Sequence, residues 1–232
     1  MNKRFLSIVA ILSIGIISIF LSQCNFSNKT VNVDLTQIPH NNLSTYNFFE
    51  GKINDLLPQE GVLPYDLNTP LFSDYAYKSR FVWMPDGTSA AYDPKETFDF
   101  PLGAVLIKSF YYPEGFAKPE GERRIIETRL LINQEDGWNA YPYVWNDEQT
   151  DATLSIAGGF TEVNYTDEQG IAQQISYAIP NKIQCKSCHI YDEEIKPIGP
   201  KVRNINGDFD YEDGTTNQLD KWVEVGYLSG YD

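Results

Sequence analysis

The residues of this chain best suited to chemistry are two cysteines and a histidine in the run Cys185-Lys186-Ser187-Cys188-His189. Thiols three positions apart can each form a thioether with one vinyl group of a haem. A histidine directly after the second thiol then lies under the iron and ligates it through a ring nitrogen. The spacing therefore reads as covalent attachment of one haem c, with Cys185, Cys188 and His189 binding the cofactor and His189 as the metal ligand. Other readings of the thiols stay open. A structural disulfide suits an oxidising compartment but would not need His189. A zinc site needs about four ligands, and the only other histidine is His40. A thioredoxin-like pair belongs beside a βαβ pattern, which is lacking here.

Eleven residues beyond His189 comes Pro200, within Pro197-Ile198-Gly199-Pro200. The Gly199-Pro200 pair resembles the element of class I cytochromes c whose proline carbonyl accepts the ring N–H of the ligand histidine. Pro200 is accordingly expected to fix the orientation and tautomer of His189; an ordinary turn is the alternative. A sixth ligand is harder to find. Apart from the start residue the only methionine is Met84, in Phe81-Val82-Trp83-Met84-Pro85, and the only second histidine is His40. Met84 reads first as a core or strand-end side chain and His40 as a solvated linker residue. The iron is then five-coordinate, or takes a ligand from a partner or from further chain.

Other constellations are weaker. Asn206, Asp208 and Asp210 alternate like the start of a calcium loop, but Tyr211 stands where glycine is required and Asn217 where the closing acid belongs. Nothing in the sequence brings Asp66, Asp74 and Asp99 together. Trp83, Trp138 and Trp145 could line a sugar-binding face, although core and rim aromatics are the usual explanation.

The elements that must position the motif follow from periodicity and turn chemistry. Phe49, Ile53 and Leu56 at helical spacing suggest a short helix over 46–57, with Ser44 or Thr45 as its cap. Six β-prone runs then follow: Ser79 to Met84, Ala104 to Tyr112, Arg124 to Ile132, Tyr141 to Trp145, Phe160 to Tyr165 and Ala172 to Tyr177. They are separated by turns such as Pro85-Asp86-Gly87, Pro113-Glu114-Gly115, Asp136-Gly137 and Asp167-Glu168-Gln169-Gly170. Strands of this length and spacing predict a mainly β fold, an antiparallel sandwich or barrel-like domain over 46–178. After Ile179-Pro180-Asn181 the β signals thin out, and Leu219, Trp222, Val223 and Val225 suggest one short helix. The segment 179–232 thus reads as a small, partly helical, cytochrome c-like unit that binds the haem and is incomplete.

The N-terminus speaks to compartment. Lys3 and Arg4 precede a 17-residue run without charge, Phe5 to Leu21, and polar chain follows abruptly. That is the form of an export signal, with an uncleaved N-terminal anchor as the alternative. Leu21-Ser22-Gln23-Cys24 resembles the lipobox of bacterial lipoproteins, with Gln23 where a small residue is usual; this implies lipidation at Cys24. Residues 1–24 are assigned to the signal and lipobox. Residues 25–45, with five asparagines (Asn25, Asn28, Asn32, Asn41, Asn42), read as a flexible tether. The expected location is the periplasmic or cell-envelope face, membrane-anchored. A formal charge of −14 repels phosphate backbones, which argues against nucleic acid; it would steer a basic redox partner, with solubility alone as the alternative explanation.

From about Gly61 onward the chain is similar to bacterial dihaem c-type cytochromes. The similarity is carried by the run Leu63-Pro64-Tyr65-Asp66-Leu67-Asn68-Thr69-Pro70-Leu71-Phe72-Ser73-Asp74-Tyr75-Ala76, then Phe98-Asp99-Phe100-Pro101-Leu102-Gly103 and Glu127-Thr128-Arg129-Leu130-Leu131. It continues through Tyr143-Val144-Trp145-Asn146, Gln184 to His189 and Pro197 to Lys201. The resemblance implies exported electron transfer. Family members carry a second C-x-x-C-H further on and none occurs here up to Asp232, so one haem is expected. The alternatives are a β-sandwich binding lipoprotein that is never loaded with haem, and a haem enzyme with an open iron site.

Overall fold

A computed structural model describes residues 29–191 and 193–231; the export segment and Cys24 lie outside them. β-branched and aromatic runs between glycine- and proline-containing turns become strands, as side-chain alternation on a pleated surface requires. Leu63–Tyr65 (β1), Tyr77–Trp83 (β2), Val105–Pro113 (β3), Arg123–Gln134 (β4), Gly137–Trp145 (β5) and Ala152–Leu154 (β6) form one antiparallel sheet in that order. The first and last strands do not pair with each other, so the sheet is open and no barrel closes. Gly159–Thr166 (β7) and Ala172–Ile179 (β8) make a separate hairpin. All six predicted strands are present, and the fold is mainly β and antiparallel.

Alternation sends side chains to two faces. On one, Phe81, Val105, Ile107, Leu130, Ile132, Tyr143 and Trp145 are buried beneath Leu43, Tyr46 and Phe48. The other face is covered in two places. Val82, Leu106 and Met84 pack under Tyr65, Phe98, Phe100 and Trp222. Phe110 and Ile126 pack under Val163 and Tyr177 of the β7–β8 hairpin. The strip between these two regions, partly exposed at Lys108 and Arg129 and buried at Arg80, carries the candidate site.

Three expectations are corrected. Residues 29–45 are not a free tether: Val31, Val33, Leu35 and Ile38 pack against the first core, and Leu43 is buried in it. The every-other-residue spacing of Val31, Val33 and Leu35 marks an extended stretch that ends in a turn at 35–37. The region 46–57 is not a helix. Two 3₁₀ turns, Leu43–Tyr46 and Ile53–Asp55, end at left-handed Asn47 and Leu56, and Phe49–Glu50 pairs with Leu57–Pro58. Finally, the chain after Ile179 is not a separate helical unit. It contains Lys182–His189 (α1), Val202–Ile205 (α2) and Gln218–Glu224 (α3), but also the hairpins Ile190–Tyr191/Glu194–Ile195 and Asp208–Tyr211/Gly214–Asn217. Trp222 of α3 is fully buried, its ring 5.7 Å from that of Tyr65 and 6.1 Å from that of Phe98. Leu228–Ser229 pairs in parallel with Ala90–Ala91. The tail shares the sheet's core because its large apolar residues are too few to bury one another.

Candidate functional site

The C-x-x-C-H motif forms the body of α1. The Asn181 side chain accepts from the Gln184 N–H at 2.8 Å, and the Gln184 side chain accepts from the Asn181 N–H at 2.9 Å. This capping box satisfies two N–H groups that the helix leaves unpaired, a contribution of about 1 kcal/mol. The loop before β7 braces the same end. The Lys182 N–H donates to the Ile156 carbonyl, and Gly158, at φ +68°, lies so close that a Cβ there would sit 2.6 Å from the Asn181 nitrogen. The helix rests against β5.

Positions 185, 188 and 189 share one side of a helix, being three and four residues apart. Cys185 is buried at 7% exposure, Cys188 is exposed, and both are free thiols. Burial pushes the Cys185 thiol above its ordinary value, with the Arg129 charge opposing. His189 is half-buried, and burial holds its imidazole below the usual histidine value, so the ring is neutral at neutral pH. Its Nδ1 lies 3.0 Å from the Lys196 carbonyl oxygen. Facing a carbonyl, Nδ1 must carry the proton and donate, which leaves the Nε2 lone pair for a metal.

The carbonyl expected in that role was that of Pro200. It accepts instead from the Phe98 N–H, at 3.4 Å. The physical reason is the hairpin directly after α1, which folds the chain back so that Lys196 both donates its N–H to the His189 carbonyl and offers its own carbonyl to the ring. Pro200, itself buried, anchors the tail to the segment 98–100.

Arg129, Leu131, Ala140, Ala178 and Pro180 join the motif residues around a cavity of about 180 Å³. That is below the roughly 300–1,000 Å³ typical of small-molecule sites. The donor set fits a covalently held haem: two thiols and a correctly protonated imidazole on one helical side, next to an apolar wall. The described residues do not enclose the macrocycle, which would lie largely along the surface. Neither candidate sixth ligand is near at hand. Met84 is 1% exposed within the core that includes Tyr65 and Trp222. The His40 ring packs edge-on against Tyr46, and its carbonyl accepts from the Tyr143 hydroxyl. Among the described residues no three His, Cys, Asp or Glu side chains converge as a zinc site requires.

Beside the motif lies a row of cations that sequence reasoning missed. Arg80, Lys108 and Arg129 stand opposite one another on β2, β3 and β4, with Pro142 continuing the row on β5. Arg129 lines the cavity together with Cys185, Cys188 and His189. Its partner is Glu127, fully buried and also held by the Tyr177 hydroxyl at 2.7 Å. Glu127 shares this side with Arg129 by simple alternation, two residues before it in the strand; the register shifts only beyond Phe110, where Ile126 is the extra residue. Arg80 is 4% exposed; one guanidinium nitrogen meets Asp66, while Nε and Nη2 are buried without a partner among the described residues. Burial, then Arg80 and Arg129, lowers the Lys108 ammonium to about 7. The signal for these residues was a charge set among apolar neighbours in each of the three strands, and only in β3 does it stand alone.

Comparison with protein-family models, with curated proteins and with solved structures gives no match. Among the described residues no helix is long and apolar enough to cross a membrane.

Proposed function

We propose that this chain is an exported c-type haem protein related to the bacterial dihaem cytochromes, carrying electrons through one haem bound at Cys185, Cys188 and His189. The observation that carries this reading is the state of the motif. Two free thiols sit three residues apart on α1, and the adjacent imidazole is neutral with Nδ1–H committed to the Lys196 carbonyl. The cofactor, when attached, supplies one-electron chemistry between ferric and ferrous iron. The protein's part is to hold the thiols on a capped helix, to fix the imidazole tautomer through Lys196, and to offer the apolar wall of Leu131, Ala140 and Ala178. Membrane attachment through Cys24 or the apolar N-terminal run, on the periplasmic or envelope side, belongs to the same reading. So does a basic redox partner drawn to the acidic surface.

The test is the visible spectrum of the chain co-expressed with a haem c maturation system, taken after denaturation and acid-acetone extraction. Haem that stays with the polypeptide, and is lost in Cys185→Ala/Cys188→Ala, is the expected result. A colourless chain of correct mass refutes the reading. Met84 and His40 are both committed elsewhere, and this favours a second reading, an iron open to a small ligand. Carbon monoxide binding to the reduced protein separates a ligand-binding haem from a closed electron carrier.

A further inference from the structure

We infer that Arg80, Lys108 and Arg129 form a carboxylate-binding row that takes the two propionate groups of the porphyrin held at Cys185 and Cys188; this rests on the haem reading above. A haem attached through its vinyl edge presents its two carboxylates at the opposite edge, away from the thioethers. The row runs in that direction. It begins at Arg129, in the cavity wall with both cysteines, and passes strand by strand to Arg80. Strands lie about 4.8 Å apart, so two steps span about 10 Å across the sheet.

The charges fit as well. Lys78, next on the same side of β2, adds a fourth cation, and its Nζ donates to the Leu71 carbonyl at 2.9 Å. Against these four stand the carboxylates of Asp66 and Glu127, each paired with one arginine. With Lys108 protonated, as a carboxylate beside it would favour, two positive charges are left over, matching two propionates. An uncompensated cation cluster in a partly buried strip is costly to keep. Arg80 states the need most directly, because two of its nitrogens are buried with no acceptor in the described structure. Guanidinium groups are the usual partners of carboxylates, being planar, permanently charged and able to donate two parallel hydrogen bonds. No other acidic side chain among the described residues pairs with Arg80 or Lys108.

The test titrates the full chain, produced without haem maturation, with haemin and separately with haemin dimethyl ester, following the Soret band. The esters keep the ring and iron and remove both carboxylates. Binding of haemin at least tenfold tighter than of its diester is expected. That preference should be lost in Arg80→Met and in Lys108→Met, and retained in the exposed-surface variant Lys118→Met. Equal binding of the two porphyrins by the unmodified chain, or binding of neither, overturns the inference, and no variant needs to fold for that comparison. Thermal stabilisation by succinate or inorganic phosphate that requires Arg80 and Lys108, together with equal binding of both porphyrins, assigns the row to a free anion and also overturns it. Covalent loading by the maturation system is scored separately: loaded chain without ester discrimination defeats this inference alone, whereas a chain never loaded defeats both.

Discussion

Replacing Lys108 with methionine should stabilise the haem-free protein, and should do so in a pH-dependent way. Lys108 lies between Arg80 and Arg129 in the cross-strand register, is half-buried, and makes no ion pair; its Nζ sits 4.8 Å from the centre of the Phe110 ring. Burial and the two flanking guanidinium groups lower its pKa from 10.5 to about 7. The folded chain therefore binds fewer protons than the unfolded chain between those two values. Stability rises with pH across that window, and the penalty is fully present below about pH 7. The shift sets a ceiling of about 5 kcal/mol at 1.36 kcal/mol per unit. Water reaching the partly exposed ammonium lowers this, so a gain of roughly 2–3 kcal/mol is expected for Lys108→Met at pH 6. Urea unfolding followed by tryptophan fluorescence, at pH 6 and pH 10, measures it. The advantage of the variant should be largest at pH 6 and shrink toward pH 10. A variant no more stable than the parent at pH 6, or an advantage independent of pH, would refute the claim that Lys108 is an uncompensated charge.

Two further outcomes test how the site is supported. Gly158→Ala would place a methyl 2.6 Å from the Asn181 nitrogen and the Ile179 carbonyl oxygen, at a φ of +68°. It should cost about 1–3 kcal/mol and lower the fraction of chain that acquires haem, read as the ratio of haem to protein absorbance. Trp222→Ala removes the largest fully buried side chain of the tail, and a loss of roughly 3–5 kcal/mol is expected. Because the tail shares the core with β2 and β3, calorimetry should show one transition moved downward; a second, independent transition would show that 179–232 folds by itself.

The placement of the haem motif links the two halves of the chain. The thiols and imidazole belong to the tail, while the wall and the cations facing them belong to the sheet. If the motif carries haem as proposed, the β-rich region would serve as the floor of that site.

Much of this was legible in the residues alone. Six strands announce themselves through β-branched and aromatic runs bounded by turns such as Asp136-Gly137, and the structure has each within a few residues. The three motif residues lie within five positions of one short helix, so their spacing is written locally. Where local signals were weak or contradictory, the reading failed. Val31, Val33, Leu35 and Leu43 are scattered among asparagines, and burial against a distant sheet outweighed that polar composition. Phe49, Ile53 and Leu56 keep helical spacing, yet left-handed Asn47 and Leu56 and the pairing of Phe49 with Pro58 won over it. Other features are decided only in three dimensions. Arg80, Lys108 and Arg129 are more than twenty residues apart, and strand register alone sets them side by side. Ile126 packs beside Phe110 under the β7–β8 hairpin where the register shifts by one residue, and the His189 ring meets Lys196 rather than Pro200 only because a hairpin folds back behind α1. Thus the sequence by itself determined the strands and the chemistry of the motif, since both depend on near neighbours. The tertiary structure alone decided what the motif faces, because register, bulges and chain reversal are settled by which surfaces bury each other.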